Sequence, residues 1–418
     1  MTPILVIAFF GLMALSVPVA HAMLGGTALA LLADGKPLAV IAQRLYAPTQ
    51  AFPMLAIPYF ILAGSLMMHG KFGEYLVNIA RLIVGRYRGG LGQVSILGSV
   101  MFGGVSGSAV ADASAMGNAL IPVQVRDGYP APFAAAINAS SSTISVLIPP
   151  SIPLILYGLV ANVSIVDLFV AGILPGLLLA CGMMGMVWYI AKRRGLPPAP
   201  LPGGLRAFRS QIVFALPALL MPIFIIGTLR FGIATPTEVS VMAVAYALLI
   251  GIFFYRDVTP RLIWNALVDT GMMTGAVMLI IMASGTIQWI LTAEQVPQNL
   301  ASFVGTHLTQ PWMVLIALNL VMLVVGMFLD LPAAVLLLAP LFVTIGNTIG
   351  LDPVQLGLMM VINLSVGLYT PPVGTTLFIS MAIARTGIGQ TTRALLPFYL
   401  VALILLLAFT FIPALTIY

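Results

Sequence analysis

The sequence predicts an all-α polytopic membrane protein made of two inverted-topology repeats, each with a re-entrant helical hairpin and a broken transmembrane helix. The first observation behind this is composition. Of 418 residues, 61% are hydrophobic and 7% are charged, which leaves too few polar groups for a water-exposed surface. The second is recurrence: Asp112 and Asp330 lie 218 residues apart, and Pro149 and Pro371 lie 222 apart. Duplicated, interrupted membrane segments are typical of secondary transporters, whose binding sites lie at the interruptions.

The ordinary membrane helices come from apolar stretches of about twenty residues, the length that crosses a hydrocarbon core. They are predicted at 52–69, 166–190, 211–229, 237–255, 264–291 and 394–415. The apolar segment Met1–Ala22 lacks a basic start, so we interpret it as retained structure rather than a signal peptide. Whether residues 1–34 make two short crossings or one long crossing stays open. The amphipathic stretch Gly73–Arg88 is predicted to lie along the inner membrane surface.

Two segments with polar or glycine-rich centres predict the re-entrant hairpins. Residues 91–125 have their tip at Gly103–Ser108, and residues 312–347 have theirs at Gly326–Pro332. The two are aligned by Asp112 with Asp330 and by Pro122 with Pro340, each pair 218 residues apart. Non-helical backbone at membrane depth survives only beside protein or a wet cavity, so the tips are predicted to line a site.

The helices that follow, residues 132–160 and 353–384, each contain a proline pair, Pro149-Pro150 and Pro371-Pro372. Proline lacks an amide donor and pushes the preceding residue out of helical geometry, so each helix must break. Hydroxyls and freed carbonyls then form an oxygen cage suited to a hard cation, with a carboxylate to offset its charge. We expect one sodium ion between each tip and the broken helix of its own half. The candidate sodium ligands at the tips and breaks are Asp112, Thr143, Ser145, Pro149, Gly326, Asp330, Thr370 and Gly374.

The same breaks leave half-helix N-termini at mid-membrane, where unpaired amides and dipoles favour an anion. Since the tips and breaks hold no arginine, lysine or histidine, a carboxylate substrate depends on these amides, on asparagines and on sodium. The candidate substrate contacts are Ser106, Gly107, Asn138, Ser151, Asn363 and Thr375. For Asn138 and Asn363, bridging between helices is an equally open alternative.

Basic residues predict the orientation. If the halves are inverted, 14 of the 17 lysines and arginines fall on one side, with Lys36, Arg44 and Arg230 as the exceptions. The positive-inside rule makes that side cytoplasmic, with the linker Lys192–Arg209, and leaves the C-terminus periplasmic. The net charge of +6 therefore indicates topology rather than nucleic-acid binding. His21, His69 and His307 show no metal spacing, and neither a transition metal nor another cofactor is expected.

Together these motifs resemble the large membrane subunit of tripartite ATP-independent periplasmic (TRAP) transporters over essentially the whole chain. The resemblance rests on Phe52–Gly64, Gly104–Gly117, Ile148–Ser151, Gly326–Asp330 and Thr370–Gly374. It implies sodium-driven uptake of organic acids, such as a C4-dicarboxylate or a sialic or sugar acid, across a bacterial inner membrane by an elevator motion. It also implies three partners besides lipid: a small four-helix membrane subunit on a separate chain, a periplasmic binding protein and the carboxylate itself. By motif, it implies sodium ligation by Ser106, Ser108 and Asp112, by Asp330, and by Thr370 with Gly374.

The chain is accordingly expected to divide into a mobile transport body and a static scaffold. The body comprises 91–160 and 312–384; the scaffold comprises 1–90 with a surface arm, 161–209 with the linker, 210–311 with a second arm, and 385–418.

Two alternatives from other classes remain. Gly104–Gly107 matches the short nucleophile motif of rhomboid-like intramembrane proteases, which makes Ser106 a candidate nucleophile, although the second half has no such serine. A stand-alone sodium/dicarboxylate symporter or antiporter of related architecture shares the hairpins and the breaks. Outside the site, Glu238 is predicted to cap a helix start at Thr235, and a structural role for Asp269 is as open as a functional one.

Overall fold

The computed structural model describes residues 1–199, 205–308 and 310–418, which are helical with connecting turns and contain no strand. Seven helices in these ranges are long and apolar enough to cross a membrane, so the chain is a multi-pass membrane protein. The first half contains α1 Thr2–Ala14, α2 Val19–Ala33, α3 Ala39–Tyr46, α4 Ala56–His69, α5 Phe72–Val84, α6 Gly90–Ser106, α7 Ala109–Arg126, α8 Ala131–Ser141, α9 Ile152–Ala161 and α10 Ile165–Arg194. The second half contains α11 Leu205–Arg230, α12 Pro236–Leu249, α13 Pro260–Ala293, α14 Val296–His307, α15 Pro311–Gly326, α16 Leu331–Thr348, α17 Pro353–Gly367, α18 Thr375–Ala384 and α19 Ile388–Phe411.

The N-terminal segment forms two short apolar helices, α1 and α2, rather than one long helix. They pack closely because Gly26 has no side chain: a Cβ there would lie 3.2 Å from the Phe9 nitrogen. The amphipathic stretch is helical as predicted and forms α5, which buries Phe72, Leu76 and Ile79.

Both helical hairpins and both broken helices are present within a residue or two of their predicted bounds. The first hairpin is α6 and α7, and the second is α15 and α16. The first broken helix is α8, a short 3-10 segment over Ser142–Val146, and α9. The second is α17 and α18. Pro149-Pro150 and Pro371-Pro372 are both cis and lie in the two interruptions.

The alignment of the two hairpins by their aspartates is wrong. Helices α7 and α16 are both 18 residues long and begin at Ala109 and Leu331, so within the hairpins the halves correspond at an offset of 222 rather than 218. Asp330 therefore stands opposite Ser108, while Asp112 lies one turn deeper in its helix. Pro122 and Pro340 are displaced from each other in the same way.

The two halves interlock around the broken helices. Helix α9 of the first half packs on α16, and α18 of the second half packs on α7 and α8. Helix α17 is largely apolar, and Val354–Gly367 is wholly buried, as expected of a helix at the centre of a bundle.

Helices α10 and α19 pack on this centre and on each other. Gln93 on α6 donates to the Met184 carbonyl of α10 at 2.9 Å, and Gln355 on α17 donates to the Phe409 carbonyl of α19 at 3.0 Å. Glycines allow the closest approach: a Cβ on Gly172 of α10 would lie 2.5 Å from the Leu147 carbonyl oxygen.

Candidate ion and substrate site

The first hairpin tip rests against the first helix break. The chain leaves α6 through Gly107, whose φ of 57° favours glycine. Ser108 is the N-cap residue of α7, and its Oγ accepts from the Ala111 amide at 3.4 Å. A Cβ on Gly107 would lie 2.0 Å from the Pro150 carbonyl oxygen. Only glycine fits between this tip and this break.

The second tip rests against the second break through different contacts. The Val373 amide donates to the Met327 carbonyl at 3.2 Å, and a Cβ on Gly367 would lie 2.2 Å from the Gly326 oxygen. Asp330 is the N-cap residue of α16, but its side chain makes no capping hydrogen bond. Each tip thus meets the break of its own half, where the sequence predicted a sodium ion.

The two breaks are linked to each other by Thr376. Its Oγ1 lies 2.9 Å from the Leu368 carbonyl oxygen in its own half and 3.1 Å from the Ala139 carbonyl oxygen of α8. Ser151 closes the first break, since it caps α9 by accepting from Leu154 at 3.3 Å and donates to the Val146 carbonyl. The breaks are therefore held in fixed, adjacent conformations.

A cavity of about 200 Å³ lies where both tips and both breaks converge, and α4 and α13 close its outer side. Three helix N-termini contribute to its wall, those of α7, α9 and α16, so the positive ends of three helix dipoles lie at the cavity. Ser108 and the half-buried Asp330 are its polar side chains. It is lined by Ile61, Gly107, Ser108, Ala109, Val110, Val146, Ile152, Pro153, Met273, Ala276, Val277, Ile280, Asp330, Leu331, Pro332 and Leu368.

Asp112 occupies a different environment from Asp330. Its side chain is fully buried behind the first tip, and neither carboxylate oxygen has a hydrogen-bond partner in the described residues. The Oδ1 atom of Asn138 is likewise buried and unpaired there. A buried carboxylate without a counter-charge is costly, so this position suits a bound cation or a proton.

The predicted hydroxyl ligands are mostly turned toward their own helices. Thr143, Ser145 and Thr370 donate to backbone carbonyls three or four residues back, at 2.7, 2.6 and 2.6 Å. Their oxygen lone pairs stay available to a cation. Ser106 Oγ accepts from the Ser108 amide at 3.4 Å.

The remaining candidates lie in the breaks. Pro149 is the first residue of its cis pair, and Gly374, with φ of 30°, begins α18. Next to it, Thr375 Oγ1 is buried and has no partner in the described residues.

Asn138 and Asn363 bridge helices through their amide nitrogens. Asn138 donates to the Ala113 carbonyl at 2.8 Å and to Ser380 Oγ of α18 at 2.9 Å. Asn363 donates to the backbone and side-chain oxygens of Asn319 at 3.0 and 2.8 Å. Neither lines the central cavity. The bridging alternative is present in the structure, and substrate contact by these two residues stays a prediction.

The sequence reasoning missed two features. Thr376, which joins the breaks, follows the predicted Thr375, and only the approach of α18 to α8 distinguishes the two. The outer wall of the cavity, Ile61 on α4 and Met273–Ile280 on α13, carries no local signal, because these residues resemble any apolar helix face.

Comparisons with known proteins agree on one family. The model of the DctM component of tripartite ATP-independent periplasmic transporters matches residues 6–415. A Sinorhizobium fredii protein, y4mL, is 50% identical over 419 residues, all of both chains. The C4-dicarboxylate TRAP transporter large permease protein DctM of Pseudomonas aeruginosa is 37% identical over 90% of this chain and 88% of its own. The sialic acid TRAP transporter large permease protein SiaM of Vibrio cholerae is 36% identical over 96% and 93%.

Two solved transporters share the fold at low sequence identity. The YdaH transporter of Alcanivorax borkumensis superposes with a TM-score of 0.59 at 15% identity, over 90% of this chain and 86% of its own. MtrF of Neisseria gonorrhoeae superposes with a TM-score of 0.62 at 14% identity, over 89% and 83%.

Proposed function

Since the chain belongs to the DctM family of tripartite ATP-independent periplasmic transporters, we propose that it is a sodium-coupled subunit that imports an organic acid. Family membership makes it a transport subunit rather than an enzyme, so the intramembrane protease alternative is wrong. The observation that carries the proposal is the cavity at which both tips, both breaks and three helix N-termini converge. Relatives named for C4-dicarboxylate and sialic acid transport support a carboxylate as the substrate.

Charge at the cavity gives a physical route to coupling. The N-termini of α7, α9 and α16 attract a carboxylate, while Asp330 on the same wall repels it. A sodium ion at the second tip offsets the charge of Asp330, so the anion binds well only after the cation. Coupling then follows from this difference in affinity. A second sodium ion at the first tip, with Asp112 behind it, completes the site in the same way.

The packing supports a transport body larger than the one expected from the sequence. Helices α10 and α19 contact α6, α8 and α17, through side-chain to backbone hydrogen bonds such as the buried one from Gln355 to Phe409. We include them in the mobile body, which then spans 90–194 and 311–411. The scaffold comprises α1–α5 and α11–α14, and the two halves are inverted across the membrane. The body moves against α4 and α13 in an elevator motion.

The orientation and the partners follow from the proposal. The face rich in lysine and arginine, with the linker after α10, lies in the cytoplasm, and the C-terminus lies in the periplasm of a bacterial inner membrane. A small four-helix membrane subunit on a separate chain supports the scaffold. A periplasmic binding protein delivers the acid.

The test is reconstitution of this chain in proteoliposomes with the small subunit and the binding protein encoded beside it. Uptake of radiolabelled succinate or sialic acid is measured with and without an inward sodium gradient. We expect uptake only with all three proteins and the gradient. Equal uptake without the binding protein would instead support the stand-alone symporter, and uptake under a proton gradient alone would contradict sodium coupling.

A further inference from the structure

A second cavity adjoins the central one and extends along α4 and α13. Its volume is about 370 Å³, within the usual range of small-molecule sites. The two cavities share four lining residues, Ile61, Ser108, Ile152 and Met273. They are therefore neighbouring parts of one space. The second cavity is lined by Ile61, Gly64, Ser65, Met68, His69, Ser106, Ser108, Ala111, Ser114, Ala115, Ile152, Asp269, Met272 and Met273.

His69, the last residue of α4, contacts both α4 and α13. Its Nδ1 lies 2.9 Å from the Ser65 carbonyl oxygen and 3.4 Å from the Ser65 hydroxyl oxygen, and its Nε2 lies 3.1 Å from Oδ2 of Asp269 on α13. A carboxylate only accepts hydrogen bonds, so Nε2 faces Asp269 as a donor.

This side chain is distinctive within the described residues, because His69 is the single basic side chain that lines either cavity. An anion that leaves the tips through the second cavity meets no other basic side chain there. The hydroxyls of Ser65 and Ser114 line the same wall. Asp269, the resting partner, has 43% of its side chain exposed, so water can take the place of His69 as its partner at small cost.

We propose that His69, with Ser65 and Ser114, forms a second carboxylate-binding subsite, in which the carboxylate of the transported acid replaces Asp269 at Nε2. The inference rests on the proposed function, because it requires an anionic substrate. Lys71 follows directly after α4, on the face rich in basic residues. The subsite therefore lies between the tips and the cytoplasm, on the path of release.

Binding can be read directly, because the chain has three histidines. Protein labelled with ¹⁵N-histidine in nanodiscs gives one pair of ring nitrogen signals for each of the three histidines, and the spectrum of His69→Gln assigns the pair of His69. Succinate is the probe, and neutral succinamide is its control. We expect succinate to shift the His69 signal saturably while succinamide leaves it in place and the His21 and His307 signals stay unchanged. An unmoved His69 signal, or an equal shift with succinamide, would overturn the subsite.

Transport gives the second readout. In succinate counterflow through proteoliposomes, His69→Gln replaces the imidazole, which can take up a proton, with a neutral amide, so the half-saturating succinate concentration should rise about tenfold. His307→Gln is the matched control, because His307 also contacts a carbonyl of its own helix, that of Phe303 at 3.0 Å, but lines neither cavity. Asp269→Asn removes the competing charge and should lower the concentration.

The two proposals fail in different ways. Absence of any succinate or sialic acid transport by the wild-type complex would count against the proposed function. Normal wild-type transport with an unaltered His69→Gln variant would refute the subsite alone.

Discussion

The two hairpin tips have the same architecture but place their carboxylates differently. At the first tip, serine caps the second helix, and Asp112 lies one turn inside it, buried and without a partner among the described residues. At the second tip, Asp330 is itself the capping residue and lines the central cavity. The first acid therefore lies buried behind the tip, and the second lies at the wall of the central cavity. The two hairpins share a backbone architecture, but their carboxylates occupy different electrostatic surroundings.

Asp330→Ala should cause the largest loss, because it removes the carboxylate that we propose binds the sodium ion beside the substrate. We expect sodium-driven uptake to fall by more than about a hundredfold while the protein still inserts in the membrane. Asp352→Asn is the control: Asp352 caps α17 through the Val354 amide at 3.0 Å but lies outside the cavity. Near-normal uptake by reconstituted Asp330→Ala would remove the second tip from the ion site.

Asp112→Ala should also lose sodium-driven uptake without losing membrane insertion, since its buried position requires an offsetting cation or proton. Asp112→Asn separates these two. If Asp112 binds sodium, the amide should raise the sodium concentration for half-maximal uptake by about tenfold. An unchanged sodium dependence in Asp112→Asn would indicate that Asp112 is neutral and protonated. Only the second tip would then be a candidate to bind sodium through its aspartate.

Gly107→Ala tests whether the first tip needs its contact with the break. Alanine at this position must adopt a positive φ, at a cost of about 1–2 kcal/mol. Its Cβ would also lie 2.0 Å from the Pro150 carbonyl oxygen. We expect uptake to fall at least about tenfold. Gly195→Ala is the control for strain alone, with φ of 67° and no neighbour within 4 Å of its Cβ. Equal effects of the two substitutions would show that the contact is unimportant.

Thr376→Val should give the smallest effect, because it keeps the shape and removes one hydroxyl that joins the breaks. The loss is about 1 kcal/mol, seen as a lower thermal unfolding midpoint of the purified protein, and Thr376→Ser should restore it. Thr344→Val is the control, since that hydroxyl also donates to a carbonyl, that of Pro340 at 3.0 Å, within a single helix. A midpoint unchanged by Thr376→Val would show that the breaks are held together by packing alone.

The sequence predicted the hairpins and breaks well because glycine and proline act on the backbone at the position where they stand. The turn at Gly107 and the breaks at the proline pairs could therefore be predicted without knowing which residues pack around them. The alignment of Asp112 with Asp330 was wrong because each is a lone acid in an apolar segment, so the two look equivalent in sequence. A four-residue shift of one apolar helix relative to the other produces no recognisable change in the sequence pattern. The cavity wall formed by Ile61 and Met273 depends on the packing of α4 against α13, and so does the contact of His69 with Asp269. The side-chain pattern of a single helix does not show which other helix it packs against.

The exchange of α9 and α18 between the two halves has a consequence for assembly. Helix α9 of the first half packs inside the second half, and helix α18 of the second half packs inside the first. Neither half can therefore complete its packing by itself. Two polypeptides produced by dividing the gene between α10 and α11 should remain protease-sensitive when made singly and become resistant when made together. The exchange of these two helices therefore predicts that the two fragments complement each other.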